Sequence, residues 1–167
     1  MVDSLLAIIR EARESDLPAL EWEGAFSHFR GLYQRAFLET QSGRRIMLVA
    51  EAASQVVGQL FIQLDSFPKP GGDGRATAYL YSFRVRPEYR RQGIGTQLIQ
   101  AAETTLQTRG YRRAVISVAV TNLTARKLYE HLGYRVYAQD PGQWSYIDDQ
   151  GQLQRVDEPA LVLEKEL

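Results

Sequence analysis

The chain has 167 residues, no cysteine, and 20 basic side chains balanced by 20 acidic ones, for a formal net charge of zero. That length suits one domain with a sizeable core, and the charge balance gives no footing for a nucleic-acid backbone. The missing cysteine excludes disulfides, thiol catalysis and thiolate metal sites, and no apolar run reaches the roughly 20 residues that span a bilayer.

In chain order, Met1-Val2-Asp3-Ser4 shows no basic stretch ahead of an apolar one, so a cytoplasmic enzyme is expected. Residues 5–12 read as a first strand. Ser15 or Asp16 then caps a short helix that runs to Trp22. A second helix covers residues 25–40, with Phe26, Phe29, Tyr33 and Phe37 on one face, where they pack as core and leave some area for a pocket. Residues 46–52 and 56–65 make a hairpin turning at Ser54-Gln55, and Pro68, Pro70 and three glycines mark 66–75 as a loop. Residues 78–85 are rich in aromatic and β-branched side chains, as strands prefer. Pro87 stops that strand because it lacks the N–H a ladder needs. Ile94, Leu98, Ile99, Ala102 and Leu106 recur at helical spacing and carry a long helix to Arg109. A strand at 112–120 follows, then a helix at 122–132 closed by Gly133. A strand begins at Tyr134, and residues 159–166 form a last strand pairing near it. No internal repeat or interdomain linker interrupts this order. Strands mixed with helices predict an α/β sheet with parallel and antiparallel neighbours.

The segment Val85-Arg86-Pro87-Glu88-Tyr89-Arg90-Arg91-Gln92-Gly93-Ile94-Gly95-Thr96 joins a strand to a helix. The first N–H groups of a helix have no partner within it and carry the positive end of its dipole. Gly93 and Gly95 lack a Cβ, so a bulky anion can approach the backbone. Arg90 and Arg91 add mobile positive charge at the rim. Such a corner suits a pyrophosphate, although its spacing matches neither the Walker nor the dinucleotide glycine pattern. A second strand–turn–helix unit follows at Asn122-Leu123-Thr124-Ala125-Arg126-Lys127-Leu128-Tyr129, and ends in Gly133-Tyr134.

With both segments in order, the chain resembles the GCN5-related N-acetyltransferases (GNAT), which move an acetyl group from acetyl-CoA to an amine. The pyrophosphate signature reads Arg90-Arg91-Gln92-Gly93-Ile94-Gly95. The later signature is met by Asn122, Ala125, Leu128, Tyr129, Gly133 and Tyr134. The clear likeness covers residues 76–135. It implies the GNAT α/β fold: a mixed central sheet of about six to seven strands, splayed at its centre and flanked by about four helices, in one domain over 1–167. It also implies that the strands at 78–85 and 112–120 part at one end, with the pantetheine arm of acetyl-CoA in the gap. By that mapping the backbone of Phe83 and Val85 meets the arm, while their side chains pack in the core. The N–H groups of Arg91, Gln92, Gly93, Ile94, Gly95 and Thr96 hold the pyrophosphate, with Arg90 at its rim. Asn122 binds the arm from the far side while also capping its helix, and Ala125 lies beside it. Homodimers are frequent in the family, which makes one an expectation here.

Tyr129 is the residue expected to carry chemistry. Amine attack on a thioester expels a thiolate, whose conjugate thiol has a reference pKa near 8.5. A phenol can donate a hydrogen bond or proton to that sulfur. The base is not assigned. Deprotonating an alkylammonium at pH 7 costs roughly 4–5 kcal/mol, and a peptide α-amine only about 1 kcal/mol. Residues 76–85 hold no carboxylate, which leaves Glu21, Glu23, Asp65 and Ser117, or a water chain, which is the preferred route. Trp22, Glu21 and Glu23, with an aromatic wall of Tyr79, Tyr81, Trp144 and Tyr146, would suit a cationic acceptor. His28 and His131, far apart and without cysteine, make no metal site. The leading expectation is acetylation of a small-molecule or amino-acid-like primary amine. Alternatives are a protein N-terminal acetyltransferase of the ribosomal-protein kind, a non-catalytic acyl-CoA sensor, and an unrelated nucleotide-binding domain. The last lacks a phosphate-loop lysine.

Overall fold

The structure, a computed structural model, describes residues 6–64 and 76–167. The readings for residues 1–5, for Asp65 and for the loop at 66–75 lie outside the described residues. The chain forms β1 (Ile8–Glu11), a 3-10 segment (Glu14–Glu21), and a 3-10 turn (Ser27–Phe29) that runs into α1 (Arg30–Gln41). Next come β2 (Arg45–Ala52), β3 (Gln55–Gln63), β4 (Thr77–Val85), a 3-10 turn (Pro87–Tyr89), α2 (Ile94–Thr108), β5 (Arg113–Ala119) and α3 (Leu123–His131). The strands β6 (Arg135–Asp140), β7 (Gln143–Ile147), β8 (Leu153–Asp157) and β9 (Ala160–Glu166) complete it.

Seven strands form one sheet in the order β1-β2-β3-β4-β5-β9-β6, and β7 and β8 pair separately. Only β4 and β5 run parallel in that sheet, so the expected mixture of neighbours is present. The last strand does more than pair near β6. It inserts between β5 and β6 and pairs with both. β2 and β3 are buried almost throughout because both sheet faces are covered. Leu98, Ile99, Ala102 and Leu106 of α2 pack with Leu48, Leu60, Leu80 and Ile116 on one face. On the other face Leu20, Tyr33 and Ala36 pack with Met47, Val49 and Phe61.

The first helical region differs from its reading. Residues 14–21 wind as a 3-10 segment whose N-cap is Arg13, not Ser15 or Asp16. Pro18 lies inside the segment, where its missing N–H and its ring oppose α-helical geometry. Asp16 still serves the entry, since its carboxylate accepts from the Arg13 N–H at 2.7 Å. The second helix starts at Arg30 rather than at residue 25, because Trp22, Glu23 and Gly24 turn the chain through positive φ. Phe26 and Phe29 therefore precede the helix, yet with Tyr33 and Phe37 they pack on one core cluster against the sheet. The hairpin turns at Ala53-Ser54, one residue earlier than read.

One irregularity parts the centre of the sheet. Gln59 pairs with Arg84 and Phe61 with Tyr81, so Leu60 alone faces both Ser82 and Phe83. This β-bulge puts Ser82 at φ 54°, and the buried Gln59 amide secures it by donating to the Ser82 carbonyl and Oγ, each at 3.1 Å. β4 thereby bends with β3 and pairs with it up to Val85–Gly58. Meanwhile β5 stays with β9 along its whole length, from Arg113–Glu166 to Ala119–Ala160. The β4–β5 ladder stops at Leu80–Ile116, although both strands continue. The expected splay is there, and its cause is the bulge.

Candidate active site

Beyond Val85 the chain makes the 3-10 turn at Pro87, passes Arg91 at φ 63° and enters α2 through Gly93 at φ 81°. Gly93 is the N-cap of α2 and offers no side-chain acceptor. The backbone N–H groups of Arg91, Gln92, Gly93, Ile94, Gly95 and Thr96 find no acceptor among the described residues, and the next N–H, of Gln97, bonds to Gly93 at 3.0 Å. A row of unpaired N–H groups at a helix N-terminus is an anion-binding surface. The two glycines divide the labour differently from the sequence reading. A Cβ on Gly93 would meet nothing within 4 Å, so its positive φ is what calls for glycine. A Cβ on Gly95 would stand 2.9 Å from Cζ of Phe83. Gly95 thus lets α2 close onto the Phe83 ring, and does not itself clear a path for the anion.

Arg91 is exposed and has no partner among the described residues, as a mobile rim charge requires. Arg90 is less free than read, since its Nε donates to the Val85 carbonyl at 2.9 Å and so folds the side chain back to the end of β4. The Gln92 side chain donates to the Glu88 carbonyl at 3.4 Å. Val85 and Ile94 are buried and Phe83 packs against the same core, which agrees with the packing role read for the Phe83 and Val85 side chains.

Across the split, Asn122 caps α3 by accepting from the Ala125 N–H at 3.2 Å, and Ala125 packs against the core. Tyr129 is 4% exposed, with its ring centroid 6.0 Å from that of Phe83. The helix end holds it in place. Tyr134 N–H bonds to the Tyr129 carbonyl at 3.0 Å and Gly133 N–H to Glu130 at 3.1 Å, with Gly133 at φ 99°, a Schellman ending. The Tyr129 hydroxyl has no hydrogen-bond partner among the described residues, yet it is not among the fully buried unpaired atoms. It therefore meets open space. Burial first, and the Tyr79 phenol second, push its pKa well above the ordinary value near 10. The helix ending thus fixes the Tyr129 backbone, and burial favours the neutral phenol.

On the opposite sheet face lies a cavity of about 490 Å³, lined by residues of α1, β2, β3, β4 and β7, among them Phe29, Tyr33, Tyr79, Tyr81, Arg84 and Trp144. The β7–β8 hairpin, absent from the element-by-element reading, brings Trp144 and Tyr146 over Phe29, with ring centroids 6.3 and 5.0 Å away. Its strands are short and largely exposed, and the alternation of Trp144 and Tyr146 with polar residues is the signal in the sequence that could have found it. Tyr79 lines the cavity and stacks on Tyr81, with ring centroids 5.9 Å apart.

The carboxylates considered as bases are engaged. Glu21 accepts from Arg30 at 2.8 and 3.0 Å and from Ser27 at 2.8 Å, and Arg30 holds its pKa below the ordinary value. Glu23 accepts from Arg86 at 2.8 and 3.1 Å, and that guanidinium lowers it likewise. Neither suits proton abstraction or an incoming cation. Ser117 is bonded to the Tyr79 phenol. His28 sits not on a surface helix but half-buried in the 3-10 turn, 4.2 Å from the Phe29 ring. Among the described residues no group of histidine and acidic side chains could hold a metal ion, and no helix is long and apolar enough to cross a membrane.

The model of the acetyltransferase (GNAT) family matches residues 6–134, and the chain belongs to that family. The ribosomal protein bS18-alanine N-acetyltransferase of Escherichia coli (strain K12) is 32% identical over 117 residues, covering 70% of this chain and 66% of that one. N-alpha-acetyltransferase 30 of Xenopus laevis is 31% identical over 90 residues, covering 54% of this chain and 32% of its own. The chain thus spans about a third of that relative, and 24% of the Homo sapiens one. Among solved structures, Ard1 from Thermoplasma volcanium superposes with a TM-score of 0.73 at 19% identity, over 96% of this chain and 97% of that one. The PaiA N-acetyltransferase from Thermoplasma acidophilum, solved in complex with coenzyme A, gives 0.69 at 19% identity, over 98% and 100%. The structural likenesses show the fold.

Proposed function

We propose that this chain is an acetyl-CoA-dependent N-acetyltransferase acting on a primary amine of an amino-acid-like acceptor. One observation supports the reading: the unpaired N–H groups from Arg91 to Thr96 follow on β4, the strand that parts from β5 beyond Leu80–Ile116, and Tyr129 lies on the helix that follows β5. A diphosphate suits those N–H groups and an extended arm suits the unpaired edge of β4. Acetyl-CoA, when bound, supplies the acetyl group as a thioester. The backbone at 91–96, with Arg91 at the rim, binds the diphosphate, and Asn122 and Ala125 border the arm. The acceptor nitrogen bonds to the acetyl carbon as the carbon–sulfur bond breaks, the proton shed by nitrogen leaves through water, and the departing sulfur accepts a hydrogen bond from Tyr129 before it is protonated. A phenol held above its ordinary pKa is a weaker acid than a thiol. Its hydrogen bond to the charge growing on sulfur therefore precedes any transfer.

The engaged state of Glu21 and Glu23 favours an acceptor that needs little help to lose its proton, which an α-amine is and an alkylammonium is not. A second reading, acetylation of a protein N-terminus, is supported by the names of the bS18-alanine and N-alpha relatives. Either reading goes with a cytoplasmic setting, where acetyl-CoA is available.

The test is a screen for free thiol release from acetyl-CoA across amine classes, run on the wild type and on Tyr129→Phe. We expect release with α-amino acceptors. Tyr129→Phe should lower kcat by about 100-fold or more, with CoA affinity unchanged. Tight CoA binding with no release from any amine would point to a sensor. Full kcat in Tyr129→Phe would remove the phenol from the chemistry.

A further inference from the structure

The sequence pointed to carboxylates in the acceptor region, but the cavity is lined by cations. Arg35, Arg45 and Arg84 face it together with a single acid, Glu39. Glu39 is already shared, for it pairs with both Arg35 and Arg45. That leaves Arg84. Its bonded partner is the Tyr33 hydroxyl, a neutral group. Its guanidinium lies 3.8 Å from the Phe26 ring centroid, and the rings of Trp22, Phe29 and Tyr33 stand within 6.0 Å. Its Nε is buried and donates to nothing. Among the described residues no carboxylate pairs with it, and burial works against its charge. Arg86, only 6% exposed, shows the usual arrangement, with Glu23 and two carbonyls on its guanidinium.

A half-buried guanidinium without a counter-anion carries a desolvation cost, and the cost falls when a carboxylate is set against it. Aromatic rings stabilise the cation through their faces but leave its N–H groups unfilled. Arg84 also lies between Phe83 and Val85 on β4, the strand that borders the split. An anion held on Arg84 would keep the rest of its molecule beside that strand. A cavity of about 490 Å³ with an aromatic lining has room for an amino-acid-sized body.

We propose that the acceptor carries a carboxylate, and that Arg84 is the specificity-determining residue that receives it within the aromatic cavity. The proposal rests on the N-acetyltransferase reading for the acceptor's amine, and the anion site can be tested without turnover. One tryptophan, Trp144, lines the cavity and the other, Trp22, lies 6.0 Å from the Arg84 guanidinium, so ligand binding is readable by tryptophan fluorescence. The probes are phenylacetate and its uncharged isostere phenylacetamide, each titrated into the CoA-saturated protein.

We expect phenylacetate to bind about 10-fold to 100-fold more tightly than the amide, the range of a charge-assisted pair. Arg84→Gln should abolish that preference while leaving the protein able to bind CoA. Arg84→Lys, which keeps the charge without the planar fork, should retain part of it. Equal binding of the two probes by the wild type overturns the proposal, as does an Arg84→Gln protein that keeps the preference. In turnover, the preference should appear between phenylalanine and its amide, or between dipeptide amides with glutamate and with glutamine in second place. The first outcome identifies the acceptor's own α-carboxylate and the second a side chain, whereas a preference in neither pair overturns the proposal. Failure of the acetyl-transfer reading looks different, because it shows as no thiol release from any amine whatever the probes do.

Discussion

Asp16 is the residue that ties the entry of the chain together. Its carboxylate accepts from Arg10 at 2.8 and 2.9 Å and from the Arg13 N–H at 2.7 Å, while Arg10 also reaches Glu51 on β2 at 2.9 Å. Arg10 holds the Asp16 pKa below its ordinary value. A depressed carboxylate stabilises the fold fully above its unfolded value near 3.9, and that contribution is lost as pH falls through the lower folded value. Asp16→Asn should therefore cost about 1–3 kcal/mol at pH 7. The difference from wild type should shrink in acid, below the folded value, where the wild-type carboxyl is also neutral. Thermal melts of both proteins from pH 7 to pH 2 read this directly, and a constant gap would contradict it. At this scale the sequence placed Asp16 at the entry of the first helical segment but as its cap, whereas its partners are Arg10 and the Arg13 N–H. Arg84 was not legible. Its partner Tyr33 is 51 residues away, and nothing local says that the arginine would lack a carboxylate.

At the scale of elements, the approach of α2 to β4 depends on Gly95. A methyl group there would stand 2.9 Å from the Phe83 ring and 3.7 Å from Leu128. Gly95→Ala should destabilise the protein by about 1–3 kcal/mol and weaken CoA binding, since the helix carries the N–H row. Phe83→Leu in the same chain should recover part of the loss, which a double-mutant cycle of denaturant melts would show. Additive losses would mean that the ring is not the obstacle. The β2–β3 turn supplies a gain instead. Ala53 and Ser54 both sit at positive φ, 50° and 61°, where Asn-Gly is preferred in a two-residue hairpin. Ala53→Asn with Ser54→Gly should add about 1 kcal/mol, or roughly 2–4 °C in Tm. An unchanged Tm would contradict the strain assigned to that turn. The long periodic helices and the apolar strands were legible from their spacing. The start of α1 and the β7–β8 hairpin were not, because three successive positive-φ residues and two short exposed strands leave little trace in a hydrophobic pattern.

At the scale of the molecule, the site is a consequence of pairing. β4 follows β3 through its bulge, β5 follows β9, and the two part beyond Leu80–Ile116, ahead of the N–H row that follows β4 and of α3, which carries Tyr129. Sequence order places β9 last and gives no sign that it slides between β5 and β6. The splay was expected from resemblance, whereas its cause, a glutamine amide pinning a left-handed serine, is visible only in three dimensions. The central claim is that the backbone just past Pro87 grips the diphosphate of CoA. Amide resonances recorded by two-dimensional NMR during a CoA titration test it most directly. The N–H signals of Arg91 to Thr96 should move furthest and saturate together, and should stay in place when pantetheine, which lacks the diphosphate, is added instead. Perturbations that leave those residues untouched while CoA binds elsewhere would contradict the account.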